Sequence, residues 1–302
     1  VTLTAVVLIL ISVSTHVGWN LIGKRNHSST AFFLLAGASG LLWLGPVLLL
    51  FGQALFEFPT VVWGWLVATG LFQALYYAGL AGAYRVGDMS IAYPLARSAP
   101  VVMVALINVL LGRLHQIGIL AWVGMLLIVV GGLLLPLRRL DGWSVKSYLR
   151  PSMLLALLTA VGTTGYSLID DHALRVLRAT PGLSVNGTVA TLLFAFGEAA
   201  TSCLWLSLFV LISASRRTEL RYVWREQKRR AALAGLGIYA SYTLVLVAMG
   251  FVRNVSYVVA FRQLSVPLGA LAGMGMLNEP RYGLKLVGVG LIFAGLVLVG
   301  MG

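Results

Sequence analysis

The chain has 302 residues, of which 59% are hydrophobic and only 10% charged. A soluble domain of this length carries about 25% charged residues, so a water-soluble enzyme and a nucleic-acid-binding domain are both excluded, despite a formal net charge of +13. Apolar runs of about 20 residues, enough to cross a bilayer core as a helix, recur along the sequence and predict an all-α polytopic membrane protein.

Ten spans are expected. Span 1 (2–22) includes the first residues, with no cleavable leader in view, and carries His16, Trp19 and Asn20 within "HVGWNLIGK" (16–24). Span 2 (31–51) is apolar, and span 3 (61–84) contributes Tyr76 and Tyr77. Span 4 (89–111) contains "AYPLARSAP" (92–100), which sets Arg97 between Pro94 and Pro100, with Tyr93 one turn before it. Span 5 (116–136) leads into a basic segment, 137–150. Span 6 (151–170) carries Tyr166, Ser167 and Asp170, and Asp170 and Asp171 are expected to end it. Span 7 (186–213) holds Glu198 near its centre and Cys203, a packing residue. A second basic segment, 215–230, reads as a solvated loop touching anionic headgroups. Span 8 (231–251) adds Tyr239 and Tyr242. Span 9 (256–277) carries Arg262, Ser265 and Pro267, and span 10 (282–301) closes the set.

Counting Lys285, one turn into span 10, with the connection before it, sixteen of the 22 Lys and Arg fall on the connections 1–2, 3–4, 5–6, 7–8 and 9–10, against four on the other side. Positive charge favours the cytoplasm, so both termini are expected outside. The segment 138–150 then forms a cytoplasmic linker between two five-span halves, 1–137 and 151–302. The halves resemble each other: "HVGWNLIGK" matches "TTGYSLIDD" (163–171), "SAPV" (98–101) matches "SVPL" (265–268), and "GMLLIVVGGLLL" (124–135) matches "GVGLIFAGLVLV" (288–299). Five is odd, so the second copy enters from the opposite face. Inverted repeats of this kind place a substrate site near the midplane, on interrupted helices.

Spans 4 and 9 are the expected interrupted pair. A proline inside a helix removes a donor and frees the carbonyl four residues back, which predicts free carbonyls at Ser90, Ala96 and Gln263. Arginines at such depth either face a wet cavity or snorkel to an interface. Glu198 reaches neither face and is expected to pair with an arginine or to carry a proton. His16, Trp19, Asn20, Tyr76, Tyr93, Arg97, Tyr166, Ser167, Glu198, Tyr242, Arg262 and Ser265 are the expected lining of a small-molecule cavity with aromatic walls. Two guanidiniums against one carboxylate bias it towards a carboxylate, phosphate or zwitterion. Gly124, Gly131, Gly288 and Gly295 recur at helical spacing and permit close helix contact. The four histidines and one cysteine make no metal motif, and no P-loop, HExxH or GxSxG marks ATP-driven transport or an enzyme.

The halves, "GWNLIGK" in span 1, "AYPLARSAPV" in span 4 and "NEP" (278–280) after span 9 resemble the EamA family of the drug/metabolite transporter superfamily. The resemblance covers essentially the whole chain. It implies a cofactor-free carrier in a bacterial cytoplasmic membrane, monomeric or homodimeric. Its partners would be a small-molecule substrate and lipids, and it would export amino acids or related metabolites by alternating access. One departure stands out: the family's glutamate after span 9 is present as Glu279, but Gly112-Arg113 occupies the corresponding place after span 4. A channel or sensor is the competing reading.

Overall fold

The computed structural model describes residues 3–26, 28–110, 112, 118–139, 144–249 and 261–301. Among them every regular element is helical. In chain order they are α1 (Leu3–Arg25), α2 (Thr30–Phe51, continued by a 3₁₀ segment Gly52–Glu57), α3 (Thr60–Val86), α4 (Met89–Leu110), α5 (Ile119–Leu134) and the single turn α6 (Val145–Tyr148). Then come α7 (Pro151–Ala179), α8 (Gly187–Leu211), α9 (Ala214–Tyr222), a π-helical turn at Val223–Gln227, α10 (Lys228–Met249), α11 (Ser265–Met276) and α12 (Gly283–Met301). Seven of these (α1 to α4, α7, α8 and α12) are long and apolar enough to cross a membrane, and α5 and α11 are apolar but shorter. Helices satisfy all their interior backbone groups within one segment, which is what hydrocarbon demands. The protein is a polytopic helical membrane protein.

The chain forms two compact units, one made of 1–28, 79–160 and 237–302, the other of 29–78 and 161–236. Each draws on both sequence halves, so the units interleave the segments 1–137 and 151–302.

In the first unit the tightest packing joins α5 to α12. A Cβ added at Gly124, Gly131, Gly288 or Gly295 would fall within 2.7 Å of the carbonyl oxygen of the glycine facing it. Gly124 faces Gly295 and Gly131 faces Gly288, so the two helices run antiparallel with their backbones touching. Elsewhere in this unit Ile9 and Val13 of α1 pack with Val245 and Ala248 of α10, beside Phe261 and Leu264. The Ser12 hydroxyl donates to the carbonyl of Ser241 at 2.6 Å, tying the same two helices.

The second unit is built on an apolar cluster of Phe58, Val62 and Leu66 with Leu177 of α7 and Leu193 and Phe194 of α8. Gly37 of α2 sits against the Cys203 sulfur of α8, so the buried free cysteine is a packing residue. The side-chain oxygens of Ser29 and Asn186 cap α2 and α8, as expected for polar residues just ahead of an apolar helix.

Several expectations change. The basic stretch 215–230 is helical throughout, as α9, the π-helical turn and the first turn of α10, with Val223 and Gln227 buried. A buried stripe on that segment lets charged residues occupy the rest of the helix surface. Asp170 and Asp171 do not end span 6, because α7 continues to Ala179. Asp171 is offset there by an ion pair with Arg175, four residues on and so on the same face. Pro94 and Pro100 lie inside α4, which runs through both, and α2 holds a further proline, Pro46.

Pro267 is the third residue of α11, where a missing N–H removes little. The carbonyl of Gln263, expected to be freed, accepts from Val266 at 2.9 Å. The chain is interrupted instead at Gln263–Leu264, just ahead of α11. The end of span 8 (250–251), the start of span 9 (256–260), Arg113, His27, His115 and linker residues 140–143 lie outside the described residues.

The α5–α12 contact gives a direct test. Gly288→Leu drives a side chain into the Gly131 carbonyl and lowers stability by about 1–3 kcal/mol. Gly290→Leu, in open space, leaves it unchanged. Thermal unfolding in detergent separates the two.

Candidate functional site

Of the twelve residues expected to line a cavity, eight fall in the first unit: His16, Trp19, Asn20, Tyr93, Arg97, Tyr242, Arg262 and Ser265. Five of them, His16, Tyr93, Arg97, Arg262 and Ser265, form a cluster carried by α1, α4 and the segment 262–265 that leads into α11. The His16 and Tyr93 rings lie 6.1 Å apart. The Arg97 and Arg262 guanidiniums both act electrostatically on each of these two groups. Arg97 follows Tyr93 by one turn, on the same face of α4. Ser265 lies close to the Tyr93 hydroxyl without a well-formed hydrogen bond to it.

What sets this cluster apart is its unused hydrogen-bonding capacity. His16 Nε2, the Tyr93 hydroxyl, Arg97 Nε and the Ser265 hydroxyl are all buried and make no hydrogen bond among the described residues. The hydroxyl of Ser98, beside Arg97, is in the same condition. Tyr93 is 2% exposed, and Ser98 and Ser265 are each 1% exposed. Buried polar atoms are nearly always paired, and each orphan costs about 1–3 kcal/mol. Their concentration around α4 makes this cluster the candidate site.

The same residues are firmly held from behind. The Trp19 indole N–H donates to His16 Nδ1 at 3.3 Å, and the Asn20 amide donates to the His16 carbonyl at 2.8 Å. Asn20 in turn accepts from the Tyr84 hydroxyl at 2.8 Å. Trp19 and Asn20 are therefore supports of the histidine. Gly269, one turn after Ser265, lets the Tyr93 ring lie flat across α11: a Cβ there would fall 2.5 Å from the ring. Tyr242 is half-buried on α10.

The other four expected residues, Tyr76, Tyr166, Ser167 and Glu198, belong to the second unit. Tyr76 and Tyr166 meet edge to face at 6.0 Å, and Ser167 is exposed on α7. Glu198 was expected to pair with an arginine or to carry a proton. Its hydrogen-bond partner among the described residues is the amide of Gln73, which donates at 2.5 Å. The Thr69 hydroxyl donates to Asp170 at 2.6 Å. Thr69 and Gln73 are one turn apart on α3, so the two carboxylates stand one above the other against a single helix face. A neutral amide and a hydroxyl hold them, and no arginine pairs with Glu198 among the contacts of the described residues.

Sequence reasoning missed a polar knot at the N-terminus of α4. Both oxygens of Glu279 accept backbone N–H groups there, from Met89 at 2.6 Å and Ser90 at 2.8 Å. A carboxylate supplied from a distant loop thus caps the helix and meets the positive end of its dipole. Lys285 is fully buried. Its ammonium donates to the Ser90 hydroxyl at 2.9 Å and the Pro280 carbonyl at 2.7 Å, with Asp88 at 3.5 Å. Lys24 donates to the carbonyls of Tyr84 and Gly87, closing the end of α3. The "NEP" glutamate was the available signal. Lys285, close to a span end, reads in sequence as a snorkelling lysine.

Among the described residues no three His, Cys, Asp or Glu side chains gather to hold a metal ion. No family model matches the chain, and no curated protein matches it.

The orphaned hydroxyl makes an unusual prediction. Tyr93→Phe removes a buried hydroxyl that makes no well-formed hydrogen bond among the described residues and raises stability by about 1 kcal/mol. Tyr84→Phe breaks the bond to Asn20 and lowers it by about 1–2 kcal/mol. Unfolding of the two variants in detergent should shift in opposite directions.

Proposed function

We propose that the protein is a secondary carrier, an exporter of a small polar metabolite such as an amino acid or organic anion, working by alternating access around the α1–α4–α11 cluster. One observation carries this reading: two intramembrane arginines lie near buried polar groups that make no hydrogen bond among the described residues. A charged side chain at membrane depth is expensive and marks a pathway or site. A carrier site must also release its occupant, which suits groups that are held in place but left uncommitted. Arg97 and Arg262 approach from two different helices, as a clamp on an oxyanion would require.

The reading includes ten spans in two inverted five-helix repeats, similar to EamA-type carriers. It is supported by the reciprocity of the α5–α12 contact. The sequence match pairs Gly124 with Gly288 and Gly131 with Gly295. Exchanging the partners turns the Gly124–Gly295 contact into Gly288–Gly131, which is the second contact present. That is the pattern a two-fold relation between repeats produces. The setting would be a bacterial cytoplasmic membrane with both termini outside, and the protein a monomer or homodimer.

Purified protein in liposomes should show saturable flux that is stimulated by substrate on the opposite side. Arg97→Gln and Arg262→Gln should each lower it at least tenfold, about 1.4 kcal/mol of lost binding, with the helical circular dichroism intact. Flux that never saturates would identify a channel, and wild-type rates in both variants would remove the clamp.

A further inference from the structure

We infer that a cleft between the end of α5 and the start of α12 holds the phosphate of an anionic phospholipid headgroup. This goes beyond the carrier reading and does not depend on it, because no residue of the α1–α4–α11 cluster lines the cleft.

The cleft belongs to the first unit and encloses about 300 Å³. Asp88, Arg138, Arg139, Ser147, Arg150 and Tyr282 are among the residues that line it. Asp88, Arg150 and Tyr282 each immediately precede a helix (α4, α7 and α12), and Arg138 follows closely on the end of α5. The cleft therefore sits where helices leave the hydrocarbon, at the level of the headgroups.

Three guanidiniums line it against one carboxylate. That carboxylate, Asp88, already faces the buried Lys285 ammonium at 3.5 Å, so it does not balance the arginines. The side chains of Arg138 and Arg150 are exposed and make no hydrogen bond or ion pair among the described residues. Basic residues just past a helix ordinarily serve its last carbonyls and the negative end of its dipole. Here tyrosines take that part. The Tyr148 hydroxyl donates to the Leu133 carbonyl at 2.7 Å, and the Tyr282 hydroxyl donates to the Leu135 carbonyl at 2.9 Å. The same bonds tie α6 and the start of α12 to the end of α5, giving the cleft a fixed wall. Arg138 and Arg150 keep their donors beside it. Retention of positive charge on one side of a membrane explains basic residues in 137–150, but not a cavity among them.

Guanidinium meets phosphate oxygens through paired N–H donors, and the Ser147 hydroxyl supplies a further donor. What adjoins the cleft sets the source of that phosphate. Leu133, Val145 and Leu149 are 48%, 55% and 60% exposed, and Val145 and Leu149 are one turn apart, with Ser147 between them in the chain. Basic pockets between helices at a membrane surface accept lipid headgroups, and the apolar flank suits the chains that follow. A free phosphate has no use for that flank.

The test is binding of phosphatidylglycerol to the purified full-length chain in detergent, read by native mass spectrometry at constant ionic strength, with phosphatidylcholine as the zwitterionic reference. Phosphatidylglycerol is expected to bind about tenfold more tightly than phosphatidylcholine. Arg138→Gln combined with Arg150→Gln should remove that preference. Ser147→Trp keeps every charge but fills the cleft, and it should remove the preference as well. Ser147→Leu repeats this with a smaller side chain, so a folding failure of the first variant does not decide the matter. Equal binding of the two lipids by the unaltered chain overturns the inference, as does a preference that survives the arginine changes. A preference lost with the arginines but intact in both Ser147 variants assigns it to diffuse surface charge and removes the pocket. Displacement of the lipid by an equal concentration of inorganic phosphate assigns the cleft to a free anion and removes the headgroup.

Discussion

A hydrogen-bonding group shut inside a protein that itself lies in hydrocarbon has no water to fall back on. Everything polar in this chain can be understood by asking whether it meets that constraint. At the N-terminus of α4 it is met fully. The first N–H groups of the helix go to Glu279, and the fully buried Lys285 is bonded to Ser90 and Pro280 near Asp88. One to two turns further along the same helix it is not met among the described residues, at Tyr93, Arg97 and Ser98. One helix therefore has a sealed end and an open middle. The sealed end fixes the direction and depth of α4, which is what gives the unpaired groups a defined position.

Close packing supplies the other half of that rigidity. Lipid tails are as apolar as leucine, so helices in a bilayer gain little by hiding apolar surface from each other and associate through van der Waals contact. The facing glycines of α5 and α12 bring two backbones together where any side chain would keep them apart. Gly269 and Gly273 do the same for α11, the first beneath the Tyr93 ring and the second beside Glu279 and Ser90. Gly269 and Gly273 are thus used within the chain, one beneath Tyr93 and one at the knot around Glu279.

Composition and apolar run length were enough to read the helical, membrane-spanning character, since both depend only on bulk transfer energy. His16, Tyr93, Arg97, Arg262 and Ser265 stand out in the sequence because they are polar residues in an apolar background, and the structure sets the His16 and Tyr93 rings 6.1 Å apart. Proline itself was a poorer guide. Its cost depends on where the helix begins, and Pro267 falls in the first turn of α11 rather than its middle. The partners of buried charges were not legible at all. Glu198 bonds to Gln73 and Lys285 to Ser90 across 125 and 195 residues, and no local pattern records contacts of that separation. The basic stretch 215–230 misled for a related reason: charge density resembles a loop until Val223 and Gln227 are seen to be buried.

The supports of His16 explain why an unpaired site can persist. The Trp19 indole N–H holds the imidazole at Nδ1, while Tyr84 and Asn20 are bonded in series to the backbone carbonyl of the same residue. Without the Trp19 bond the imidazole could rotate and satisfy Nε2 within the protein. With it, that nitrogen stays open to whatever enters. Stability lost at Tyr93, Arg97 and Ser265 is compensated by packing at α5–α12 and by the knot at Glu279. On the carrier reading proposed above, a substrate with complementary oxygens would complete the arrangement. The supporting residues, which touch no ligand themselves, are then as decisive for recognition as the arginines.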